Sequence, residues 1–155
     1  KNTGLVRQLG ADQVIDYHQT AFEDVLFDYD GVFDTLGGSQ LANAFQVVRP
    51  RGKVVSISGL PNRAFAQQAG LPMWKQLAFS LATAKMRRLQ RQFQVGYEFL
   101  FMKPSGTQLS KITKMVEHGT LQPVIDRVVP FSDIQSAMDY SAAGRSVGKI
   151  VIKMA

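Results

Sequence analysis

The chain has 155 residues, of which 45% are hydrophobic and 19% charged, the size and composition of one globular domain. It has no cysteine, which excludes disulfides, thiolate zinc sites, iron–sulfur clusters and cysteine nucleophiles. A cysteine-free chain fits a reducing compartment, and we expect a cytoplasmic location. The sequence contains no run of about 18 apolar residues, so we expect no membrane-spanning helix. It also shows no signal-peptide pattern at its start.

The net charge of +6 is unevenly distributed along the chain. Seven acidic residues lie at or before Asp34, none lies between Asp34 and Glu98, and that gap holds nine basic residues. A basic middle of this kind could bind nucleic acid, a membrane surface or an anionic cofactor. Because no nucleic-acid motif accompanies it, we interpret it as a solvated face or a surface for an acidic protein. We therefore expect neither a nucleic-acid nor a membrane partner.

The first part of the chain alternates between helix and strand patterns. In chain order, the residues predict a helix over 2–9 stopped by Gly10, a strand at 13–17, a helix over 20–26 with Thr20 as its N-cap, a strand at 30–35, a helix over 39–48 and a strand at 53–58. Strands and helices that alternate with short connections are typical of a parallel sheet covered by helices. The loops after the strands then lie at their carboxyl ends, which is where open α/β sheets bind ligands.

The second part begins with a polar loop at 62–71. After it we predict a long helix over 72–89, a strand at 91–101, a boundary at 104–106, a helix over 107–118, a strand at 124–129, a helix opened by a Ser132–Gln135 capping box and ended by Gly144, and a strand at 149–153. The predicted fold class is α/β for the first part and α+β for the C-terminal segment.

No catalytic residue and no metal site emerges from the residue types. His18 lies in a polar stretch typical of an exposed loop, and His118 lies in the last turn of a predicted helix, where a cation favours the helix dipole. Asp34 ends a strand beside two glycines, so it could accept a hydrogen bond from a ribose hydroxyl or simply form the turn. Gly59 at the next strand end leaves a similar choice: it could let a ligand approach the backbone closely, or it could simply form a turn after Ser58.

A dinucleotide-binding fold normally carries a G-x-G-x-x-G loop after its first strand. This sequence contains no such loop and opens in a predicted helix. The pattern is that of a doubly wound domain without its first βαβ portion.

Six segments carry a family resemblance. They are LVRQLGADQVIDY (5–17), DYDGVFDTLGG (28–38), VVRPRGKVVSISG (47–59), FLFMKPSG (99–106), VEHGTLQPVIDRVVPFSDIQSAMDY (116–140) and GKIVIK (148–153). In order and spacing they resemble the medium-chain dehydrogenase/reductase superfamily. The likeness is closest to its zinc-independent quinone oxidoreductase branch, which includes the reticulon-interacting reductases, and it spans nearly the whole chain.

The resemblance implies a partial Rossmann-like domain over residues 1–103 that lacks the first two strands. Residues 104–155 would form the C-terminal segment that packs on the catalytic domain in full-length relatives. In the family's strand order 3-2-1-4-5-6, residues 13–17 would be strand 3, and strands 2 and 1, which separate it from the strand at 30–35, would be absent. The strand at 13–17 would then pair with 30–35, or a second chain would fill the gap. Zinc ligands of the zinc-dependent relatives would lie outside this chain, so no metal is expected.

The resemblance also implies a set of NADPH-binding residues. Lys1 and Tyr17 match positions near the 2′-phosphate, where a cation and a phenol suit a dianion. The remaining positions lie along the cofactor from adenosine to nicotinamide: Leu36 and Gly37 at the adenosine side, Ser58, Gly59 and Leu60 near the nicotinamide ribose, Phe99, Leu100 and Phe101 beside the nicotinamide, and Gly148 and Lys149 in a terminal GK that returns to the cleft.

The implied activity is NADPH-dependent hydride transfer to a small-molecule quinone, enone or aldehyde. Because the phosphate-binding loop is absent, we expect this chain alone to be inactive. The alternative is a non-catalytic dimerisation or interaction module, in which residues 91–103 form a self-pairing edge strand and a homo-oligomer results. In that case Phe99 and Phe101 would be buried at a dimer interface.

Overall fold

The computed structural model describes residues 2–144 and 146–154. The chain divides into two compact units: one is Val6–Met102, and the other contains the chain from Lys103 onward together with residues before Val6. A short helix, α1, spans Thr3–Gln8, and Gly10 follows it with a left-handed φ of 103°, as the predicted helix end requires. No helix in the part of the chain that the structure describes is long and apolar enough to cross a bilayer.

A three-stranded parallel sheet forms the centre of the first unit, with strand order β1-β2-β3. Its strands and the helix between the first two are β1 (Tyr29–Asp34), α2 (Gly38–Val47), β2 (Val48–Ser56) and β3 (Gly96–Phe99). Asp34 pairs with Ser56 across the first ladder, and Ser56 pairs with Phe99 across the second. This register places the carboxyl ends of all three strands at one edge, and the predicted parallel α/β sheet is confirmed.

Three helices connect β2 to β3. They are α3 (Arg63–Gln68), α4 (Met73–Ala82) and α5 (Ala84–Phe93). The core lies where α2 and α5 pack against the sheet, since Phe45 of α2 and Val54 of β2 are fully buried there. Apolar residues of α5 spaced three and four apart, Met86, Leu89 and Phe93, pack against the same cluster.

The second unit contains a parallel pair of strands joined by a crossover helix. Its elements are α6 (Gly106–Glu117), β4 (Ile125–Pro130), α7 (Ile134–Ala142) and β5 (Lys149–Lys153). Ser105 caps α6, because its hydroxyl accepts a hydrogen bond from the Gln108 amide at 3.3 Å.

Two predicted elements near the N-terminus are wrong. Residues 13–17 form no strand, since no neighbouring strand pairs with them and Asp16 instead holds a turn by accepting from the His18 amide at 3.0 Å. The predicted helix over 20–26 is reduced to a single 3-10 turn at Phe22–Asp24, whose N-cap is Ala21 without a side-chain hydrogen bond and not the predicted Thr20. The first sheet accordingly has β1 at one edge, and 13–17 does not pair with it.

Three boundaries in the middle of the chain also differ from the prediction. The predicted polar loop at 62–71 contains α3, whose first turn is capped by Asn62 accepting from the Phe65 amide at 2.9 Å. The single helix over 72–89 is divided by Thr83, whose hydroxyl bonds to the Phe79 carbonyl at 2.6 Å. The predicted strand at 91–101 shortens to β3, because α5 continues through Phe93 and ends at Gln94 with a left-handed φ of 56°.

The predicted capping box at Ser132 and Gln135 does not form. A 3-10 turn occupies Phe131–Asp133 and α7 begins at Ile134. The Ser132 hydroxyl donates to the Asp133 carboxylate at 3.0 Å, and the Gln135 amide donates to Asp139, so neither side chain caps the helix.

Candidate functional site at the carboxyl edge of the sheet

Asp34 is the buried charge at the end of β1, only 6% exposed. Its carboxylate accepts hydrogen bonds from the amides of Leu36 at 3.2 Å and Gly37 at 3.0 Å. It also accepts from the Ser56 hydroxyl at 2.5 Å. Of the two roles that the sequence left open for Asp34, the structure shows the turn-forming one.

Ser56 connects the ends of β1 and β2. Its hydroxyl donates to Asp34 and accepts from the amides of Ser58 at 3.2 Å and Gly59 at 2.7 Å. This one fully buried hydroxyl therefore fixes the loop after β2 directly. It also fixes the Asp34 carboxylate, which in turn holds the loop after β1. The Ser58 hydroxyl adds a direct link between the two loops by donating to the Thr35 carbonyl at 2.7 Å.

Tyr97 of β3 completes the cluster from the third strand. Its hydroxyl donates to the Leu60 carbonyl at 2.9 Å, so it holds the far side of the loop after β2. Burial raises the pKa of Tyr97 above the usual value of 10.0; the nearby Asp34 carboxylate raises this pKa further, and a hydrogen bond with Ser56 opposes both effects. The phenol thus stays neutral and remains a donor.

Glycine is required at two positions of these loops. Gly37 has a left-handed φ of 73°, and a Cβ there would lie 2.7 Å from the Ser58 carbonyl oxygen. A Cβ on Gly59 would clash with the Tyr97 hydroxyl and lie 2.9 Å from the Ser56 hydroxyl. The two loops therefore approach each other and the buried cluster closely.

The structure brings eight of the predicted cofactor-binding residues to this edge. Leu36 and Gly37 lie in the loop after β1, Ser58, Gly59 and Leu60 lie in the loop after β2, and Phe99, Leu100 and Phe101 lie at the end of β3 and just beyond it. Leu36 is 76% exposed and Leu60 54% exposed, so both are accessible to a ligand. Phe99 and Phe101 pack with Phe65 of α3, with ring centroids 5.3 and 6.0 Å from that ring.

Of the other four predicted residues, one lies in an exposed turn, one is not among the described residues and two belong to the second unit. Tyr17 lies in an exposed turn, where its ring contacts His18 with centroids 4.1 Å apart. Lys1 lies outside the described residues. Gly148 and Lys149 belong to the second unit, where the Lys149 amide donates to the Val124 carbonyl at 2.8 Å.

Asp126 holds the segment before Gly148. Its carboxylate accepts from the Val147 amide at 2.7 Å and from the Tyr140 hydroxyl at 3.2 Å. The hydrogen bond from the Val147 amide is the main reason that the pKa of Asp126 lies below its usual 3.8. The Arg127 guanidinium stacks 3.5 Å from the Tyr140 ring, beside the same carboxylate.

Sequence reasoning missed Ser56, Tyr97 and Asn62. Ser56 carries a signal that could have been used, because it is a polar residue two positions after Val54, on the inward face of the strand, and therefore needs a buried partner. The predicted strand at 91–101 contains Tyr97 and the predicted loop at 62–71 contains Asn62, but neither pattern indicates a role for the side chain. Asn62 also bonds through its side-chain amide to the Tyr97 carbonyl at 3.3 Å, which ties α3 to β3.

Solved structures with this fold are known. The chain matches the quinone oxidoreductase of Coxiella burnetii with a TM-score of 0.74 at 21% identity, over 99% of this chain and 42% of that one. At this identity the match shows the fold alone.

The family model described as "Zinc-binding dehydrogenase" matches residues 9–152, which is most of the chain. The chain belongs to the zinc-binding dehydrogenase family. Among curated relatives, the chain is 31% identical to the 2-methylene-furan-3-one reductase of Solanum lycopersicum, over 96% of the chain and 30% of the reductase. It is 29% identical to the Mus musculus mitochondrial NAD(P)H oxidoreductase RTN4IP1, over 97% of the chain and 39% of that protein. The predicted medium-chain dehydrogenase/reductase resemblance is confirmed.

The chain spans only about 30–40% of the length of these two relatives and contains no zinc site among its described residues. No group of three or more histidine, aspartate or glutamate side chains that could hold a metal occurs at residues 2–144 or 146–154. Zinc therefore does not fit the residues present. A nicotinamide nucleotide fits in part: Leu36 and Leu60 are exposed at this edge, but the sequence provides no glycine-rich loop for a pyrophosphate.

The lowered pKa of Asp126 gives a pH prediction. Because the folded pKa lies below 3.8, the stability due to this carboxylate is present above the unfolded value and is lost as the pH falls through the folded one. An NMR titration of the Val147 amide should give a midpoint below 3.8, and Asp126→Asn should abolish the titration. Asp139→Asn, which removes an exposed carboxylate of α7, is the matched control and should leave it unchanged. A midpoint at or above 3.8 would contradict the assignment.

Proposed function

We propose that this chain forms part of an NADPH-dependent oxidoreductase that transfers hydride to a quinone, enone or aldehyde. The observation that carries the proposal is the convergence of three strand-end loops at the carboxyl edge of a parallel sheet. Open α/β sheets bind their ligands at this edge. The names of the relatives, an NAD(P)H oxidoreductase and a 2-methylene-furan-3-one reductase, support the same chemistry.

The chain's residues have positioning roles in this proposal. NADPH supplies the hydride when bound. Leu36 and Gly37 contact its adenosine side, the loop Ser58-Gly59-Leu60 lies by the nicotinamide ribose, and residues 99–101 cover the nicotinamide and exclude water. On the family resemblance, we also assign Tyr17 and Lys1 to the 2′-phosphate, and Gly148 and Lys149 to the cofactor. We assign no catalytic side chain and no metal.

We further propose that the chain is inactive by itself. A nucleotide held only at its ends loses the hydrogen bonds that a glycine-rich loop and a helix N-terminus give to the pyrophosphate. The substrate pocket would also need residues that this chain does not contain, since the chain covers 30% of the Solanum lycopersicum reductase and 39% of the Mus musculus oxidoreductase.

An NADPH titration tests the cofactor proposal. We expect no micromolar binding by NADPH fluorescence, and weak binding by saturation-transfer NMR at millimolar cofactor. Leu60→Asp, an exposed change that repels phosphate, should abolish the weak signal, whereas Leu109→Asp on α6 should preserve it. A micromolar Kd would contradict the proposed inactivity. Absence of any signal at millimolar cofactor, or equal signals in both variants, would contradict binding at the carboxyl edge.

The alternative is a non-catalytic dimerisation module, and the position of β3 favours it. β3 forms an edge of the sheet, so one side of its backbone is available to another strand. Because residues 91–93 belong to α5, pairing would involve 96–99 rather than the whole of 91–103. On the opposite edge strand, Phe33 is 61% exposed and could also associate.

Light scattering over a range of concentrations tests this alternative. The module predicts a homodimer with a concentration-dependent mass, and a monomer at high concentration would contradict it. We also retain a cytoplasmic location as a proposal; the mouse relative is named as mitochondrial.

A further inference from the structure

Helix α4 exposes an unusual number of large apolar side chains. Four of them are between 61% and 73% exposed, and we call them the apolar ridge: Met73, Trp74, Leu77 and Leu81. Their spacing places them within an arc of about 100° on the helix, next to the buried Ser80, while the half-buried Phe79 lies on the opposite side. Single exposed apolar residues are ordinary, but a contiguous ridge that includes a tryptophan marks an interaction surface.

Helix α5, which follows directly, has a basic face. Arg87, Arg88 and Arg91 lie with Ala84 around an open depression of about 480 Å³. The apolar side of α5 packs into the core through Met86, Leu89 and Phe93, so the arginines point away from it. Lys85 is exposed on the same helix, and Lys75 lies 5.3 Å from the Trp74 ring.

These arginines have no acidic partner. Within residues 2–144 and 146–154, no carboxylate makes an ion pair with Arg87, Arg88 or Arg91, although Lys53 is paired with Glu98 at 3.2 Å. The sequence has no acid anywhere between Asp34 and Glu98. The successive helices α4 and α5 therefore expose apolar side chains on one and, on the other, positive charge that nothing in the described chain neutralises.

This combination favours an occupant that offers both negative charge and apolar surface. Nucleic acid would use the cations for its phosphates but leaves the apolar ridge without a role. A second copy of the same surface would bring like charges together. An anionic lipid bilayer uses both features, because its headgroups attract arginine and lysine while its interface accepts tryptophan and leucine side chains.

We propose that α4 and α5 form a docking surface for anionic membranes, with the apolar ridge at the level of the headgroup–acyl boundary and the arginines on the lipid headgroups. The helices would lie on the bilayer and not span it. The sequence alone predicts no membrane partner, because no recognised motif accompanies its basic residues. The exposure of Trp74 and its neighbours is visible only in the fold. This inference is independent of the proposed reductase function.

Trp74 provides the probe, because it is the only tryptophan in the chain. Vesicles of phosphatidylcholine alone and vesicles with added phosphatidylserine are titrated into the protein. We expect a blue shift of Trp74 emission, quenching by brominated acyl chains and co-sedimentation with the phosphatidylserine vesicles, and little of each with phosphatidylcholine alone.

Two variants separate the contributions. Arg87→Gln, Arg88→Gln and Arg91→Gln together should weaken partitioning roughly a hundredfold, since each interfacial cation contributes roughly fivefold. Leu77→Ser with Leu81→Ser should weaken it about tenfold or more while leaving the charge unchanged. The matched controls lie on exposed positions of the second unit: Lys103→Gln, Lys111→Gln and Lys114→Gln for the charge, and Leu109→Ser with Ile112→Ser for the apolar area. Both controls should bind as the unchanged protein does.

Four outcomes would overturn the proposal. They are equal binding to both vesicle types, equal weakening by the control variants, binding without a change in Trp74 emission, and a blue shift that depends on protein concentration in the absence of lipid. The last would assign the ridge to contact between two copies. All of these variants change exposed side chains, and circular dichroism of each confirms that it is folded.

Discussion

The hydrogen bond between the Asp34 carboxylate and the Ser56 hydroxyl is the interaction on which the candidate site depends. It joins the ends of two neighbouring strands, and each partner fixes the backbone of the loop that follows its own strand. A hydrogen bond to a charged group contributes about 1.5–3 kcal/mol, and leaving such a carboxylate unpaired in the interior costs more. Buried side chains thus fix the backbone of the loops at this edge, and the outer surfaces of the loops remain accessible to a ligand.

The close packing of the two loops explains why glycine occurs at positions 37 and 59. Gly37 and Gly59 are constrained from two directions, by the loop opposite and by the buried cluster. Tyr97 extends the same cluster to the third strand and bonds to Leu60. A nucleotide that binds here would contact the loop backbone and exposed apolar side chains such as Leu36. The Asp34 carboxylate and the Ser56 and Tyr97 hydroxyls are already hydrogen-bonded within the protein. This is consistent with an enzyme class in which the cofactor carries the chemistry and the protein orients it.

Much of the first unit could be predicted from sequence because its signals are local. The β-branched run of β2, the glycine pair after β1 and the helical spacing of Leu41 and Phe45 are all visible without tertiary information. The failures occur where tertiary context decides. Residues 13–17 have strand-like composition but no partner strand, and Phe93 belongs to a helical apolar face although it also fits a period of two. Eight candidate residues could be placed at the sheet edge through the family resemblance, whereas the cluster that supports them could not, since nothing local pairs Ser56 with Asp34 across 22 positions.

The most direct test of this account is amide hydrogen exchange of the Ser56→Ala variant, with Ser58→Ala as the control that removes only the exposed bond to Thr35. If Ser56 connects the two loops, protection should fall together at Gly59, which loses its own acceptor, and at Gly37, which lies on the other loop and is held through Asp34. The control should leave both amides protected. Loss of protection confined to residues 58–59, with Gly37 unchanged, would show that the loops are fixed independently and would contradict the account.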